Sequence, residues 1–435
     1  MSYLIKPCRK IKGALNLPGD KSISHRAIII SSIAKGKTKI RNFSFSDDCK
    51  TTLDTFRSLG VRIKREGKKY LCVYGVGVRG LRKARQKINL AESGTSMRIL
   101  TGLLSAQNFA TKLDAYKSLR KRPMLRVIKP LRLMGANIKA VNRNRDEYPP
   151  ISIAPSSLNS INWKMAIASA QVKSAILLAG LYAKGKTKIF EPVESRDHTE
   201  RMLKNFKANI KIRGKNIFIK PSKLISPKKI DIPADISSAA FFIVLASLIK
   251  NSYIKIKNLG INPSRAGVLE VLKRMGANIK IIKSKKTYFE PMADIVVKSS
   301  KLKAVKIVEG KIPSLIDELP ILMVAASLAK GESIFEGVRE LRVKETDRIK
   351  SMKWNLSRMG VRIETKIRGK KEIIVIHGRN SLKGAKLKSF GDHRTAMSMI
   401  VAALCAESPS RIDEVGCTNK SFPDFLKILK KIASQ

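Results

Sequence analysis

The chain has 435 residues, enough for two or more domains with their own cores, and its 43% of hydrophobic residues is typical of a globular protein. Its longest apolar run, around residues 239–249, is too short to cross a bilayer, and the first residues lack the apolar core of a signal peptide. The five cysteines are scattered and form no CxxC pair, which argues against a disulfide framework and a zinc site. We therefore expect a cytoplasmic protein without a membrane span or a bound metal.

The net charge is unusually positive, because 88 Lys and Arg stand against 33 Asp and Glu, which gives +55. One interpretation is a nucleic-acid-binding protein, since Lys and Arg neutralise phosphates. The other is an enzyme that acts on anionic small molecules. Only 6% of the residues are aromatic, the cations are spread along the chain, and the sequence has no zinc-finger or RNA-recognition motif. Composition therefore favours the enzyme and predicts no specific nucleic-acid partner.

Near the N-terminus, the segment GDKSISHRA (residues 19–27) predicts a helix that begins after a Gly-Asp turn. The first N–H groups of a helix have no intrahelical partner and carry the positive end of the helix dipole, so they bind anions. Lys21 and Arg26 would add full positive charges at the same place. The segment therefore predicts a site for a phosphorylated small molecule, although ordinary surface cations beside a helix cap would produce the same pattern.

A repeated pattern of a helix end, a Gly and a strand organises the whole chain. It appears as FRSLGVRI at residues 56–63, LRLMGANI at 131–138, LKNFKANI at 203–210, LKRMGANI at 272–279 and LSRMGVRI at 356–363. The fifth positions lie 69 to 84 residues apart, and a degenerate sixth copy ends at residues 425–432. Gly at this position is typical of a helix C-cap. Each repeat is therefore expected to be a small α/β unit, longer than a solenoid repeat.

Each repeat also contains a small or polar cluster that predicts a helix start. The clusters are GDKS at residues 19–22, ESGTSMR at 92–98, ASAQ at 168–171, ADISS at 234–238, PSLIDE at 313–318 and GDHR at 391–394. In three repeats a Lys-Gly pair and a short alternating strand come next, at residues 35–40, 184–189 and 330–335. Six such N-termini would suit one shared anionic site, but good N-caps in a repeat architecture would look the same.

The motifs, in this order, resemble those of the 5-enolpyruvylshikimate-3-phosphate synthase family, also called the 3-phosphoshikimate 1-carboxyvinyltransferase family. The similarity runs nearly end to end. It rests on GDKSISHR (residues 19–26), SGTSMR (93–98), SLRKRPM (118–124), ASAQVKS (168–174), SRDHTE (195–200), DISSAA (235–240), IPSLIDELP (312–320), RVKETDR (342–348) and GDHR (391–394). Each motif is weak alone, but together they are highly specific.

The resemblance implies an α/β (α+β) fold, a two-domain inside-out α/β barrel of six βαβαββ repeat units, with three units per domain and the active site in the interdomain cleft. One domain would be discontinuous, residues 1–19 plus 235–435, and the other would cover residues 20–234. The repeats found in the sequence agree with this architecture. We also expect a monomer that needs no cofactor.

The family transfers the enolpyruvyl (carboxyvinyl) group of phosphoenolpyruvate to the 5-hydroxyl of shikimate 3-phosphate and releases phosphate, a step in chorismate and aromatic amino-acid biosynthesis. Both substrates are polyanions, so the site must be cationic. Two alternatives stay open. One is the sister enzyme that uses UDP-N-acetylglucosamine, whose family carries a reactive Cys that residues 114–122 lack. The other is a basic nucleic-acid-binding protein of related repeat fold.

By the same resemblance, the motifs supply ligands for both substrates. Those that match shikimate 3-phosphate ligands are Lys21, Ser22, Arg26, Ser169, Gln171, Arg196, Asp317 and Lys344. Those that match phosphoenolpyruvate ligands are Lys21, Gly94, Arg122, Gln171, Arg348, Arg394 and Lys420. The arginines suit this role because a planar guanidinium can bind a carboxylate or phosphate through two bonds. The catalytic residues would be Lys21, Asp317 as the base for the 5-hydroxyl, and Glu345 as the proton-transfer group at C3, with His393 assisting phosphate departure.

The local sequence alone is also consistent with purely structural roles for Asp317 and Glu345. Asp317 and Glu318 lie in an apolar segment, where a solvent-facing or helix-capping pair is the commoner arrangement. Glu345 has Lys344 and Arg348 nearby, which favour its ionised form, and simple ion pairing along a helix would explain this cluster as well. The chain also departs from the family at residue 92, where a Glu stands in place of the usual Asn and adds a negative charge near the phosphoenolpyruvate ligands.

Overall fold

The structure is a computed structural model that describes residues 2–67, 70–283, 289–369 and 371–434. The described residues form two compact units. The inserted unit is Gly19–Ile232, and the terminal unit comprises the chain up to Pro18 and from Pro233 onward. None of the described helices is long and apolar enough to span a membrane.

Helices and short strands alternate along the chain. The helices are α1 Lys21–Ser32, α2 Asp47–Ser58, α3 Gly94–Leu104, α4 Leu125–Leu133, α5 Ala170–Gly180, α6 His198–Asn205, α7 Ile236–Leu248, α8 Gly267–Arg274, α9 Ile312–Leu315, α10 Leu319–Ser327, α11 Arg348–Arg358, α12 His393–Leu404 and α13 Phe425–Ile432. The strands are β1 Tyr3–Ile5, β2 Lys10–Leu15, β3 Lys35–Arg41, β4 Arg62–Glu66, β5 Tyr70–Val76, β6 Ile88–Asn89, β7 Thr111–Asp114, β8 Asn137–Arg143, β9 Asp146–Ala154, β10 Asn162–Lys164, β11 Thr187–Phe190, β12 Ile210–Arg213, β13 Asn216–Ile219, β14 Lys229–Asp231, β15 Tyr253–Gly260, β16 Asn278–Lys283, β17 Met292–Lys298, β18 Lys306–Ile307, β19 Glu332–Glu336, β20 Arg362–Arg368, β21 Lys371–His377, β22 Lys386–Leu387, β23 Ser410–Ile412 and β24 Ala433–Ser434.

Within the described residues each unit contains three sheets, and most of the sheets share one topology. In the sheet β6-β7-β9-β8, the parallel strands β6 and β7 are joined through α3, and the antiparallel hairpin β8-β9 follows α4. The sheets β10-β11-β13-β12 and β18-β19-β21-β20 repeat this βαβαββ order. In β14-β3-β5-β4 and β16-β17-β15-β2-β24, the strands β14 and β2 come from distant parts of the chain. The predicted α/β fold of repeat units is confirmed, with the short sheet β1-β23-β22 in the sixth, degenerate repeat.

The residue that ends each repeated helix has a left-handed backbone. Gly60, Gly135, Gly276 and Gly360 have φ between 87° and 94°, and Lys207 has a φ of 63°. This conformation costs most residues roughly 1–2 kcal/mol, whereas Gly adopts it freely. The left-handed residue turns the chain out of the helix and into the hairpin strands β4, β8, β12, β16 and β20. The predicted C-caps are therefore confirmed.

Most of the predicted helix starts are capped by a side chain. Asp20, Ser93, Ser169, Asp235 and Asp392 are the N-cap residues of α1, α3, α5, α7 and α12, and each accepts a hydrogen bond from an N–H of the first turn. Such a cap stabilises a helix by about 1 kcal/mol. These starts also carry the motif residues, so the caps fix the backbone on which the candidate site is built.

The cluster at residues 313–318 departs from this pattern. It was expected to start one helix, but α9 ends at Leu315 and α10 begins at Leu319, with Glu318 at an N-cap position that makes no side-chain cap. Pro320, in the first turn of α10, has no N–H group to be capped. The Glu318 carboxylate instead pairs with Arg265. Asp317 consequently lies in a turn between two helices.

Apolar helices form the core of the terminal unit. Helices α7, α10 and α12 pack against one another, and nearly all their residues are buried. By contrast, α8, α11 and α13 bury one face only. The ring centroid of Phe242 in α7 lies 5.6 Å from that of Phe425, which joins α13 to this core. The core therefore holds the starts of α7, α10 and α12 in fixed positions.

In the inserted unit, α3 and α5 approach each other at Gly102. A β-carbon on Gly102 would lie 2.6 Å from the Cα of Ala175, which is closer than these atoms can pack. The glycine therefore allows direct backbone contact between the two helices, whose first turns carry Gly94 and Gln171.

We expect Gly102→Ala to destabilise the protein by about 1–3 kcal/mol, because an overpacked core must shift the backbone. Urea unfolding followed by circular dichroism measures the change. Gly310→Ala is a suitable control, since a β-carbon there would have no atom within 4 Å. Equal unfolding midpoints for Gly102→Ala and the wild type would contradict the close packing.

Candidate active site

The inserted unit places the first candidate cluster at the start of α1. Asp20 caps the helix through Oδ1, which accepts a 2.9 Å hydrogen bond from the N–H of Ile23. Lys21 is mostly buried, and its Nζ lies 2.9 Å from Oδ2 of Asp48 on α2. This ion pair fixes the ammonium group at the positive end of the helix dipole, where an anion would bind. The predicted helix start with its cation is confirmed, while the ligand roles of Lys21 and Ser22 stay predictions.

Arg26 is buried one turn further along α1. Its Nε donates to Oγ1 of Thr199 at 2.6 Å, and its Nη2 donates to Oγ of Ser174 at 2.7 Å. Its Nη1 donates to the carbonyl oxygen of Ser22 at 2.9 Å. These bonds join α1 to α5 and α6. Arg26 is therefore a cross-link of the inserted unit, and its predicted contact with a substrate would add to that structural role.

His25, between these cations, is fully buried. Its Nδ1 forms a 2.7 Å hydrogen bond with Oγ1 of Thr52, which in turn bonds to Oγ of Ser96 on α3 at 2.6 Å. Burial, followed by the charges of Lys21 and Arg26, holds the pKa of His25 well below its ordinary value of 6.5. The imidazole is therefore neutral at pH 7 and adds no charge to the cluster.

A second cluster surrounds the start of α3. A β-carbon on Gly94 would lie 3.0 Å from Nη1 of Arg98 and 3.1 Å from Nη1 of Arg122, so both guanidinium groups lie against this glycine. Nη1 of Arg98 donates to Oε1 of Gln171 at 3.0 Å, and Nε2 of Gln171 donates to Oγ1 of Thr95 at 2.9 Å. Two cations and a helix N-terminus thus meet at one place, which suits an anionic ligand.

Arg98 also lies in this cluster, although the motifs did not predict it as a ligand. It closes the SGTSMR motif, yet the expected ligands in that motif stopped at Gly94. The spacing could have predicted this position, because residues i and i+4 of a helix lie on the same face, and Gly94 and Arg98 are four residues apart. The contact with Gln171, 73 positions along the chain, carried no such signal.

A buried ion-pair network supports the segment that carries Arg196. Nζ of Lys173 lies 2.8 Å from Oε2 of Glu191 and 2.7 Å from Oε1 of Glu200, and it donates to the carbonyl oxygen of Ser195 at 3.3 Å. Although burial favours the neutral amine, the carboxylates of Glu200 and Glu191 raise the pKa of Lys173. Burial raises the pKa of Glu200, against the opposing charge of Lys173. The half-buried Arg196 follows this anchored residue directly.

Glu92, the departure from the family pattern, has a structural partner. Its Oε2 accepts a hydrogen bond from the hydroxyl group of Ser118. Ser118 opens the segment that carries Arg122, so the bond ties this segment to the loop before α3. The extra carboxylate therefore has a local role in the fold.

In the terminal unit, Asp317 lies against two arginines. Nη1 of Arg348 lies 3.7 Å from its Oδ1, and Nη2 of Arg394 lies 3.5 Å from its Oδ2. Nη1 of Arg394 also donates to the carbonyl oxygen of Asp317 at 2.9 Å. The side chain of Asp317 is 20% exposed, whereas that of Arg348 is 1% exposed. A small molecule could therefore reach the carboxylate, whose orientation is fixed by buried cations.

Asp392 holds both arginines in place. It is fully buried, and its Oδ2 accepts a 2.9 Å hydrogen bond from Nε of Arg348. Its Oδ1 caps α12 and accepts a 2.7 Å hydrogen bond from the N–H of Arg394. Although burial opposes the charge, the carboxylates of Asp392, Glu345 and Asp317 raise the pKa of Arg348. One carboxylate thus fixes Arg348 and the helix start that carries Arg394.

Lys344 and Glu345 lie in the segment that leads into α11, a few residues before its N-cap Asp347. Glu345 accepts a hydrogen bond from Arg348, and 22% of its side chain is exposed. Nζ of Lys344 lies 3.6 Å from Oε1 of Glu340. Burial lowers the pKa of Lys344, and the carboxylates of Glu340 and Asp317 offset only part of this effect. A further anion close to Lys344 would therefore stabilise its charged form.

Lys420 and His393 lie near the start of α12. Nζ of Lys420 donates to the carbonyl oxygen of Gly391 at 3.3 Å, one residue before the N-cap. His393 is the first residue of the helix and is buried. In the part of the chain that the structure describes, no group of three or more His, Cys, Asp or Glu residues is placed to hold a metal ion.

The predicted site residues therefore fall into two groups, each inside one unit. In the inserted unit, Arg98 and Arg122 lie against Gly94, Arg98 hydrogen-bonds to Gln171, and neighbouring helix starts and loops carry Lys21, Ser22, Arg26, Ser169 and Arg196. In the terminal unit, direct contacts connect Asp317, Glu345, Arg348 and Arg394. Cations anchored by buried carboxylates at helix starts, with a partly exposed carboxylate among them, define an enzyme that handles strongly anionic small molecules.

Comparisons with known proteins identify the family. Residues 5–429 match the family described as EPSP synthase (3-phosphoshikimate 1-carboxyvinyltransferase). The 3-phosphoshikimate 1-carboxyvinyltransferase of Petrotoga mobilis is 46% identical over 437 residues, which cover 100% of both chains. The solved structure of an EPSP synthase from Acinetobacter baumannii matches with a TM-score of 0.87 and 40% identity, again over 100% of both chains. The enolpyruvyl transferase NikO from Streptomyces tendae shares the fold, with a TM-score of 0.77, 16% identity and coverage of 99% and 97%.

The chain therefore belongs to the EPSP synthase family, and the resemblance indicated by its motifs is confirmed over the full length.

We expect mild acid to destabilise the protein through His25. Its folded-state pKa lies below the unfolded value of about 6.5, so its stabilising contribution is present above pH 6.5 and is lost as the pH falls toward the folded-state pKa. His25→Asn keeps a polar group toward Thr52 but cannot be protonated. When the pH falls from about 7.5 to about 5.5, the free energy of unfolding of the variant should decrease by about 1.4 kcal/mol less than that of the wild type. Urea unfolding at both pH values measures this difference, and equal losses would contradict the burial of a neutral imidazole.

Proposed function

We propose that this protein transfers the enolpyruvyl group of phosphoenolpyruvate to the 5-hydroxyl of shikimate 3-phosphate and releases phosphate. Its membership of the EPSP synthase family over the whole chain supports this reaction. The observation that carries the proposal is Asp317, a partly exposed carboxylate held against the guanidinium groups of Arg348 and Arg394. Removing a proton from a hydroxyl beside an anionic acceptor requires a fixed base with cations around it.

In the first step, Asp317 accepts the proton of the 5-hydroxyl while the oxygen attacks C2 of phosphoenolpyruvate. Glu345 supplies a proton to C3, so the double bond becomes a single bond and a tetrahedral adduct forms. Glu345 is suited to this role because it is 22% exposed and hydrogen-bonded to Arg348, which orients it. The charge of Arg348 favours ionised Glu345, so the acid form would depend on the nearby substrate anions.

In the second step, the adduct collapses. Glu345 takes a proton back from C3, the double bond re-forms, and the bond from C2 to the phosphate oxygen breaks. The departing phosphate accepts the proton that Asp317 holds, so Asp317 returns to its carboxylate form and Glu345 to its acid form. His393, at the start of α12, would assist this departure.

Shikimate 3-phosphate would be held mainly by the cations and hydroxyls at helix starts of the inserted unit. Lys21 is fixed by Asp48, and Arg196 follows the segment anchored by Lys173. These groups supply charge and hydrogen-bond donors for the 3-phosphate and the ring carboxylate. The remaining proposed ligands are Ser22, Arg26, Ser169, Gln171, Asp317 and Lys344.

Phosphoenolpyruvate carries a phosphate and a carboxylate, and both need strong donors. Asp392 fixes the guanidinium group of Arg348 and caps the helix that begins beside Arg394, and planar guanidinium groups bind such anions through two bonds. Arg122 lies against Gly94 at the start of α3, where helix N–H groups add to the field. Lys21, Gln171 and Lys420 complete the proposed set, and Arg98 would orient Gln171.

The inserted and terminal units would be the two domains of the family, with boundaries at residues 19–20 and 234–235. We infer that the protein acts in the cytoplasm as a monomer and without a cofactor. The reaction needs only acid–base groups and fixed cations, and the chain supplies both.

The test is phosphate release in a coupled assay with both substrates. We expect Asp317→Asn to lower kcat at least about 100-fold, because the amide cannot accept the proton of the hydroxyl. Asp424→Asn, an exposed position in the same unit, makes the same change of charge and should leave kcat unchanged. Wild-type turnover in Asp317→Asn, or phosphate release by the wild type without shikimate 3-phosphate, would contradict the proposal.

A further inference from the structure

A buried charge cluster lies directly next to Asp317 in the chain and takes no part in the proposed chemistry. Glu318 has a side-chain exposure of 0%, and its Oε1 accepts a 2.8 Å hydrogen bond from Nη1 of Arg265, which is 4% exposed. The hydroxyl group of Ser237 hydrogen-bonds to both residues. Nη2 of Arg265 also lies 3.7 Å from Oδ1 of Asp235, the N-cap of α7. The guanidinium group thus ties the α9–α10 turn to the start of α7.

The loop that carries Arg265 is itself fixed. The N–H groups of Arg265 and Ala266 both donate to the carbonyl oxygen of Asn262 at 2.8 Å. Nδ2 of Asn262 donates to Oε2 of Glu290 at 2.9 Å, and both side chains are buried. The guanidinium group therefore projects from an anchored loop and cannot follow a displaced Glu318.

Backbone packing links the same loop to the approach to Asp317. Gly267, at the start of α8, lies so close to α9 that a β-carbon there would be 2.5 Å from Oγ of Ser314 and 3.1 Å from Cδ2 of Leu315. The loop after Asn262 and the segment before Asp317 are thus linked by the packing of Gly267 against the side chains of Ser314 and Leu315 as well as by the ion pair.

We propose that Arg265 is a positioning residue for Asp317, acting through Glu318; this inference rests on the proposed role of Asp317 as the base. Arg394 holds the carbonyl oxygen of Asp317 on one side, and Arg265 holds the following residue by its side chain. With its own carbonyl oxygen and the following residue both held, the backbone at Asp317 has one orientation, and its carboxylate stays aimed at the hydroxyl. A displacement of about 1 Å at such a group can lower a rate about 100-fold.

The first test compares Arg265→Met and Arg265→Lys with the wild type in the phosphate-release assay. We expect Arg265→Met to lower kcat about tenfold or more, with KM for phosphoenolpyruvate within about twofold of the wild type, because the base moves while the proposed phosphoenolpyruvate ligands stay in place. Arg265→Lys should recover part of the loss, since an ammonium group restores the charge but cannot bond Glu318 and Ser237 in the same fork. Arg274→Met, at an exposed arginine of α8 in the same unit, is the control and should behave as the wild type.

A double-mutant cycle separates positioning from a general structural role. If Arg265 acts only through Asp317, adding Arg265→Met to Asp317→Asn should change kcat by no more than about twofold. If the decreases in kcat of the two single variants multiply in the double variant, the proposal is overturned. A folded Arg265→Met that keeps the kcat of the wild type would also overturn it. A wild type that releases no phosphate from the two substrates would overturn the proposed function and this inference together, whereas an active wild type with an active Arg265→Met overturns the inference alone.

Arg265→Met leaves the buried charge of Glu318 without its partner, which is strongly destabilising. Circular dichroism therefore accompanies each assay, and Arg265→Met/Glu318→Gln removes both charges together. If only the paired variant folds, a loss of kcat with KM for phosphoenolpyruvate preserved supports the proposal, and an unchanged kcat overturns it. If neither Arg265→Met nor the paired variant folds, Arg265→Lys is measured instead. A lower kcat supports the proposal, and an unchanged kcat overturns it.

Discussion

The arrangement of the proposed catalytic residues depends on one buried guanidinium group, that of Arg348. A charge taken out of water costs several kcal/mol unless it is paired, and this group is enclosed by the carboxylates of Asp392, Asp317 and Glu345. The pairing removes the freedom of all four side chains at once. The two proposed catalytic carboxyl groups, those of Asp317 and Glu345, are therefore positioned by their pairing with one buried cation.

Capped helix starts position the other residues of the candidate site. Helices α2, α4, α6, α8 and α11 each end at a left-handed residue, and helices α1, α3, α5, α7 and α12 each begin with a side-chain cap. Capping carboxylates and hydroxyls are short, so they fix the first turn, where the helix dipole favours anions. Asp392 combines the two functions, since one oxygen caps α12 and the other pairs with Arg348. Fold and binding chemistry are therefore built from the same residues.

Much of this arrangement could be predicted from sequence because its causes are local. The Gly at residues 60, 135, 276 and 360 marks the helix ends, and an Asp or Ser marks the starts of α1, α3, α5, α7 and α12. What could not be predicted depends on contacts between distant segments. Arg98 meets Gln171 across 73 positions, Asp392 meets Arg348 across 44, and Glu318 meets Arg265 across 53. Glu318 shows the difference most clearly, because its sequence context suggests a cap or a surface acid, and packing makes it a buried partner of an arginine.

The most direct test of the central claim sets geometry against net charge at Asp392. Asp392→Asn makes the protein one unit more positive, so charge alone would tighten the binding of phosphoenolpyruvate. We instead expect KM for phosphoenolpyruvate, measured at saturating shikimate 3-phosphate, to rise about tenfold, because Arg348 loses the partner that orients it. A KM that is unchanged or lower, in a variant that circular dichroism shows to be folded, would contradict the claim that the buried carboxylate positions the arginines.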